Sequence, residues 1–501
     1  MTADVKSAFL IPELSTEPTE LTYIRIDKKI AETIIQIKPE WSRLRNNDGT
    51  FTMRLKKALY GLPVSAHKWM THLNETLVKL DFQVTDADKC CYTRGTGDTK
   101  LILCSHVDDL LVIGKMSELN VFKDQISKEY DINIEMGYKH SYIGLDIKKN
   151  RSTGVICVGQ SGYKREVINR FKDYIVRERS DGKVPCGEDI LTEPNEQDEQ
   201  VDRTEYMSVV MSIMYLARFT RPDLSFSCGM LSTHCSNPKW THMRQAIKLL
   251  KCIATSDEYV IMYKPGPIAP EIYADASHAV HYDGKGHGCI IVKVGTGMVY
   301  IRSFKLKMIT LSSTESEWIV LCEATTLAEW IKSLLLSFDI IIRPIIVRQD
   351  NTSAIWLAEH GANFARTKHL LIKKNKAKEG ILNGIIHVRF TPTEFMVADL
   401  GTKPLSHRLL LLHLKNAGLV VAITENGILI RLDHIIVPAP RKQLRTEKRI
   451  VIQIQLILLK MLVVKIKVEN NEYTNFVRPR QHVMVYVIPI GIMMTVNCPG
   501  K

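Results

Sequence analysis

The run CSHVDDLLVIG, Cys104 to Gly114, places two adjacent aspartates, Asp108 and Asp109, inside an apolar stretch reading LILCSHV before them and LLVIG after them. Few structures accommodate that pattern. The flanks are apolar enough to be central strands, so the pair belongs at a hairpin tip, with LILCSH and LLVIG as the arms and the turn at Asp108 and Asp109. Asp is a turn former, and a polar hairpin tip needs no further role. Two like charges at a buried edge nevertheless repel, at a cost in free energy unless a cation is present.

A third carboxylate precedes them in ADVKSAFL, where Asp4 stands before Val5, Ala8, Phe9 and Leu10. By itself it would read as a helix N-cap. Three carboxylates from two strands are also what a two-Mg²⁺ phosphoryl-transfer site uses, with cations that activate a 3′-hydroxyl and neutralise the leaving pyrophosphate.

The 501 residues exceed one core and imply about two to four domains. With 45% hydrophobic and 24% charged residues the composition is that of a globular protein. We expect an α+β multidomain chain. Residues 1–150 mix β-rich runs (LTYIRI, LILCSH, LLVIG, YIGLDI) with helical spacing in KALYGLPVSAHKWMTHLNETLVKL. Residues 151–267 are largely helical, with an acidic linker near 193–205 that holds six acids against Arg203. Residues 268–418 alternate strands and helices as a mixed α/β sheet does. The last segment, 419–501, is basic and shows no caps or turn signals.

Net charge is +13, but Arg441 to Lys501 holds 11 Lys and Arg against 3 Asp and Glu, a net +8. The folded part therefore carries only +5, weak grounds for nucleic-acid binding. The apolar run from Ile452 is interrupted by Lys460 and Lys465, so no membrane association is expected. No secretory signal opens the chain, and the eleven scattered cysteines form no ligand cluster, which points to an intracellular protein with reduced, mostly buried thiols.

Residues 268–418 contain four more acids of interest. Asp275 lies mid-strand in IYADASHAVH, a disfavoured place unless the strand is an edge or the residue is functional. In LSSTESEW, Ser312 and Glu315 have capping-box spacing, which leaves Glu317 free for chemistry. Asp350 ends a strand and opens a helix, where an N-cap role would suffice. Asp399 follows TPTE, read as Thr391 N-cap, Pro392 first helical residue and Glu394 completing a box. That places Asp399 near a helix C-terminus, against the dipole, where a cation would stabilise it.

In order, DVKSAFL, LKKALYGL, HVDDLLVIG, YIGLDI and SIMYLARFTRPDLSFSCGMLSTHCSNP resemble the reverse transcriptase of copia-type LTR-retrotransposon polyproteins. YADASHAVH, SSTESEW, RQDNTSAI, RTKHL and VADLGTKPL resemble the ribonuclease H of the same family, and the likeness covers roughly Asp4 to Leu414. It implies a partial polymerase palm with a helical thumb/connection, then a ribonuclease H-like domain. Asp4, Asp108 and Asp109 would be the catalytic, metal-binding acids of an RNA-directed DNA polymerase. Asp275, Glu317, Asp350 and Asp399 would hold two Mg²⁺, or Mn²⁺, and cut RNA in an RNA/DNA hybrid. The implied partners are that hybrid, a DNA primer and an RNA template; the implied location is a cytoplasmic retroelement particle or the nucleus. LKKALYGL would help seat template and nucleotide.

Three departures qualify the likeness. His106 replaces the family's Tyr or Phe, and Leu371 stands where an acid usually follows His369, itself read as structural or substrate-contacting. The family's fingers lie upstream of Asp4, so hybrid cleavage is the expected activity and primer extension is expected to be weak. The alternative is a catalytically inactive remnant that at most binds nucleic acid.

Overall fold

The computed structural model describes residues 1–17, 21–193, 195, 197–360, 371–421 and 485–486, without the side chains of 371–375 and 485–486. His369, the RTKHL segment, the side chain of Leu371, the apolar run from Ile452 and nearly all of the basic tail lie outside the described residues. Contacts divide the described chain into two units, Met1–Thr85 with Lys89–Glu135, and Asp86–Asp88 with 136–421.

The first unit is built on a six-stranded sheet. Its elements in chain order are β1 (Thr2–Val5), β2 (Tyr23–Ile26), α1 (Lys28–Ile37), β3 (Phe51–Arg54), α2 (Pro63–Lys79), β4 (Gln83–Val84), β5 (Cys91–Arg94), β6 (Leu101–His106), β7 (Asp109–Ile113), α3 (Met116–Glu129) and β8 (Ile132–Glu135). The sheet order is β4-β5-β6-β7-β1-β8, so the strands flanking the Asp pair are interior, as their apolar sequence requires. Five of the six β6 residues are buried. Buried Trp69, Leu73 and Leu77 form the inner face of α2, and Leu119, Phe122 and Ile126 that of α3. The α2 periodicity that begins at Leu59 in the sequence starts later in the fold. Gly61 has φ +91°, outside the helical region, and Pro63 then opens the helix with a φ already suited to it.

The second unit opens with β9 (Lys139–Tyr142), β10 (Leu145–Lys149) and β11 (Ile156–Gly159). Five helices follow: α4 (Ser161–Arg170), α5 (Lys172–Arg177), α6 (Arg203–Phe219), α7 (Ser225–Ser232) and α8 (Trp240–Thr255). Their apolar stripes meet in one core, where Val209, Val210, Ile213 and Leu216 of α6 join Met243, Ala246 and Leu250 of α8. The acidic linker ends inside this layer, because Asp202 caps α6 by accepting the Glu205 N–H at 2.8 Å. Next come β12 (Tyr259–Tyr263), β13 (Pro270–Ser277), β14 (Lys285–Val294), β15 (Gly297–Ile309), α9 (Ser313–Ser337), β16 (Ile345–Gln349), α10 (Thr352–His360), α11 (Leu371–Leu382), β17 (Ile386–Phe390), α12 (His407–Asn416) and β18 (Leu419–Val421).

Two sheets organise these elements. An antiparallel sheet runs β18-β12-β11-β10-β9. A mixed sheet runs β15-β14-β13-β16-β17, antiparallel over its first three strands and parallel from β13 through β16 to β17. The described residues mix helix and sheet, as an α+β chain is expected to. The domain limits differ. Ile147 of β10 pairs with Val158 of β11, so a boundary near 150 would cut a hairpin, and the units instead part between Glu135 and Met136. Leu419 pairs with Ile261, so the limit at 418 is also crossed by a strand.

Within the helical layer Arg221 and Asp223 form a buried ion pair at 2.7 Å, and Arg221 also donates to Ser256 Oγ at 2.8 Å. Removing the carboxylate leaves a guanidinium buried without its counter-ion. Asp223→Ala should destabilise the second unit by about 3–5 kcal/mol in denaturant titrations. Among the described residues no helix is long and apolar enough to cross a membrane, and ten cysteines are free thiols, seven of them buried.

Candidate metal centres

Asp275 sits on β13, the middle strand of the mixed sheet, opposite Cys289 of β14. This excludes the edge-strand explanation, and the side chain is only 4% exposed. Glu317 lies in the second turn of α9. The helix start is secured without it: Ser312 Oγ accepts the Glu315 N–H at 3.2 Å, and Glu315 reaches back to the Leu311 N–H at 2.7 Å rather than to Ser312 itself. Glu317 is therefore not needed as a cap, and it is buried.

Asp350 follows β16 directly. The cap of α10 is its neighbour, since Asn351 Oδ1 accepts the Ala354 N–H at 3.0 Å. The N-cap reading of Asp350 thus fails, and its carboxylate instead accepts from Thr393 Oγ1 at 2.9 Å. β13, α9 and β16 together bring ligand atoms of Asp275, Glu317 and Asp350 within 4.8 Å of one another.

Asp399 lies in a different setting from the expected helix end. Thr391 donates its N–H to the Gln349 carbonyl at 2.9 Å, extending the strand pairing, and so does not cap a helix. Two short 3-10 turns follow, Thr393–Phe395 and Val397–Gly401, with Asp399 inside the second. No opposing helix dipole acts on it. Its stabilising cation is Lys403, 2.9 Å away, while its Oδ1 is buried without a hydrogen-bond partner. Burial holds His413, 3.9 Å away, down at about 4, so it is neutral and Lys403 supplies the charge. Asp399 stands beside the three clustered acids rather than among them.

Crowding these groups away from water raises their proton affinity. Burial, then the charges of Asp275 and Asp350, push Glu317 up to about 10. Burial and Asp275 push Asp399 up to about 8, and the same two causes raise Asp350. Lys403 is raised in turn, against its own burial, by Asp275, Asp399 and Asp350. Clustered oxygen donors, mutual repulsion and an orphaned carboxylate oxygen fit a hard divalent cation. Sequence reasoning missed the neutral supports: Thr402 Oγ1 donates to Asp275, Thr393 holds Asp350, and Gln349 lies between Glu317 and Asp350. None of these residue types carries a motif of its own.

In the first unit Asp4 pairs with Asp109 across β1 and β7, and the Val5 N–H donates to the Asp108 carbonyl at 3.0 Å. The hairpin turn is one residue earlier than expected. His106 pairs with Asp109, so the tip is Val107 and Asp108, and Asp109 opens β7. Val107 has φ +57°, an outlier for a β-branched residue. The indole N–H of buried Trp69 donates to its carbonyl at 2.6 Å, tying the tip to α2. Trp69→Phe keeps an aromatic ring but removes the indole N–H and the volume of its five-membered ring, and should cost the first unit about 1–3 kcal/mol or more by chemical denaturation. Burial and the charges of Asp108 and Asp4 raise the Tyr60 hydroxyl, which places this LKKALYGL residue within reach of their field. Asp4 is exposed, and Asp108 and Asp109 are half-buried. The three share one end of the sheet, but among the described residues only the second unit gathers three acids to within 4.8 Å.

Residues 3–175 match the family described as Reverse transcriptase (RNA-dependent DNA polymerase), a span that includes Asp4, Asp108 and Asp109. The Retrovirus-related Pol polyprotein from transposon RE1 of Arabidopsis thaliana is 27% identical over 360 residues, which is 71% of this chain and 24% of that protein. The corresponding polyprotein from transposon TNT 1-94 of Nicotiana tabacum is 25% identical over 80% of this chain and 29% of its own length. The chain is thus similar to a reverse transcriptase over residues 3–175 and to the Pol polyproteins of copia-type retrotransposons over most of its length. It spans about a quarter of those two plant polyproteins. A shorter relative, the putative transposon Ty5-1 protein YCL074W of Saccharomyces cerevisiae, is 28% identical over 57% of this chain and 92% of its own length. Among solved structures, a foamy viral protease-reverse transcriptase in complex with double-stranded DNA aligns over 81% of this chain and 60% of its own at 12% identity. Its TM-score of 0.21 is too low to support a fold assignment.

Proposed function

We propose that the second unit of this chain is a ribonuclease H that cleaves the RNA strand of RNA/DNA hybrids, and that the first is the palm of an RNA-directed DNA polymerase. The observation carrying the first assignment is the meeting of Asp275, Glu317 and Asp350 at ligand spacing on β13, α9 and β16. That gathering is the ground for ranking hybrid cleavage ahead of primer extension.

Bound Mg²⁺ or Mn²⁺ would lower the pKa of an attacking water and offset charge at the scissile phosphate. The chain's residues hold and orient. Asp275, Glu317 and Asp350 would be the ligands, with Asp399 beside them as a further acid. Thr402 and Thr393 aim two of the carboxylates, and Lys403 favours the ionised form of Asp399. Ser312, Thr314, Glu315, Thr352, Ser353, Trp356 and Leu357 line a pocket at the N-terminal ends of α9 and α10, where the Glu315 carboxylate is engaged by the Leu311 N–H. Helix N-termini and hydroxyls suit a phosphate backbone, and Trp356, 56% exposed, offers a face for stacking.

The test is a hybrid labelled on either strand, incubated with the purified chain. RNA should be cut in Mg²⁺ or Mn²⁺ and spared in EDTA, while the DNA strand stays whole. A hybrid left intact in both metals contradicts the assignment.

A further inference from the structure

Gln349 is the last residue of β16 and is fully buried. Both ends of its amide are engaged. Its Oε1 accepts the backbone N–H groups of Asp350 at 2.8 Å and Asn351 at 3.0 Å, while its Nε2 donates to Glu317 Oε2 at 3.2 Å. The amide cannot be turned over without loss. Two backbone N–H groups can only donate, so the oxygen must face them, and the NH₂ is thereby directed at the carboxylate.

We propose that Gln349 is a positioning residue for the metal cluster, setting where Glu317 and Asp350 stand relative to each other and presenting Glu317 to the ion. The proposal rests on the metal-dependent reading above. Several features favour this role over simple core packing. The side chain spans an α-helix and a strand end that are otherwise 32 residues apart in sequence at this contact. It also fixes the backbone at Asp350, where the strand stops and the chain turns into α10. Finally, its amide donates directly to the carboxylate of one of the three clustered acids. Partners of this kind around metal ligands are worth roughly 10–100-fold in metal affinity.

Two substitutions divide its functions. In Gln349→Glu a carboxylate oxygen still receives both backbone N–H groups, but the donor to Glu317 is replaced by a like charge. In Gln349→Met both interactions are lost. Calorimetric titration of the metal-free full chain with Mg²⁺, alongside thermal melts in EDTA, separates the effects. We expect Q349E to melt closer to wild type than Q349M does, and both to bind Mg²⁺ at least tenfold more weakly. A folded Q349E whose Mg²⁺ affinity stays within threefold of wild type overturns the proposal. Should neither variant fold, the Gln349 side-chain amide is followed by NMR in wild type, where Mg²⁺ must shift it; an unmoved resonance at saturating Mg²⁺ likewise overturns the proposal. Asp350→Asn in the same titration tests the underlying reading. If wild type binds no Mg²⁺, or if this variant binds as tightly as wild type, the metal-site reading fails and this inference with it.

Discussion

Asp350→Asn should leave the chain able to hold an RNA/DNA hybrid within about threefold of wild type yet reduce cutting by about a thousandfold or more, near 4 kcal/mol of transition-state stabilisation. The amide keeps the shape of the carboxylate and can still accept from Thr393, so local packing survives. What is lost is one anionic oxygen from a cluster whose ligand atoms lie within 4.8 Å of one another. Binding should persist with its salt dependence, because phosphate contacts depend on cationic surface and not on these acids. Cleavage and mobility-shift assays on one preparation check both halves. Cleavage within tenfold of wild type would remove Asp350 from the centre, and loss of binding together with cleavage would make it a structural residue.

The second large effect is on stability. Glu317, Asp399 and Asp350 all bind protons more tightly in the folded chain than in the unfolded one. Between the ordinary carboxylate range near 4 and the raised values of about 8 and 10, the native state carries more protons than the unfolded state. The slope of unfolding free energy with pH is therefore negative there. In EDTA the melting temperature of the second unit should fall as pH rises from about 5 toward 9, a loss on the order of a few kcal/mol. Mg²⁺ should flatten that decline by supplying the missing positive charge. Glu317→Gln should flatten it without metal, since the neutral amide removes one of the repelling charges. Melts across this range with and without Mg²⁺ decide the matter, and a metal-free curve that rises with pH would contradict the assigned electrostatics.

Much of this was legible in the sequence because the relevant signals are local. The apolar arms of LILCSH and LLVIG specify interior strands, and helical spacing in EYMSVVMSIMYLARF specifies α6. Asp350 stands where a strand end puts it, and Glu317 where the start of a helix does. What stayed hidden depends on distant partners. Nothing around Leu145–Lys149 announces that β10 pairs with β11 and continues through β12 to β18, so the boundary near 150 was misplaced. The hairpin turn moved by one residue because Val107 accepts a positive φ that its branched side chain disfavours, while the Trp69 indole holds its carbonyl from another element. The TPTE pattern spells a capping box, but Thr391 spends its N–H on Gln349 and the chain coils into 3-10 turns. Gln349 itself gave no signal, since its role comes from the two residues it bridges.

The most direct measurement is a Mn²⁺ anomalous difference map from crystals of the full chain soaked in MnCl₂. The account predicts a peak within coordination distance of Asp275, Glu317 and Asp350. Mn²⁺ bound elsewhere while that cluster remains empty would contradict it.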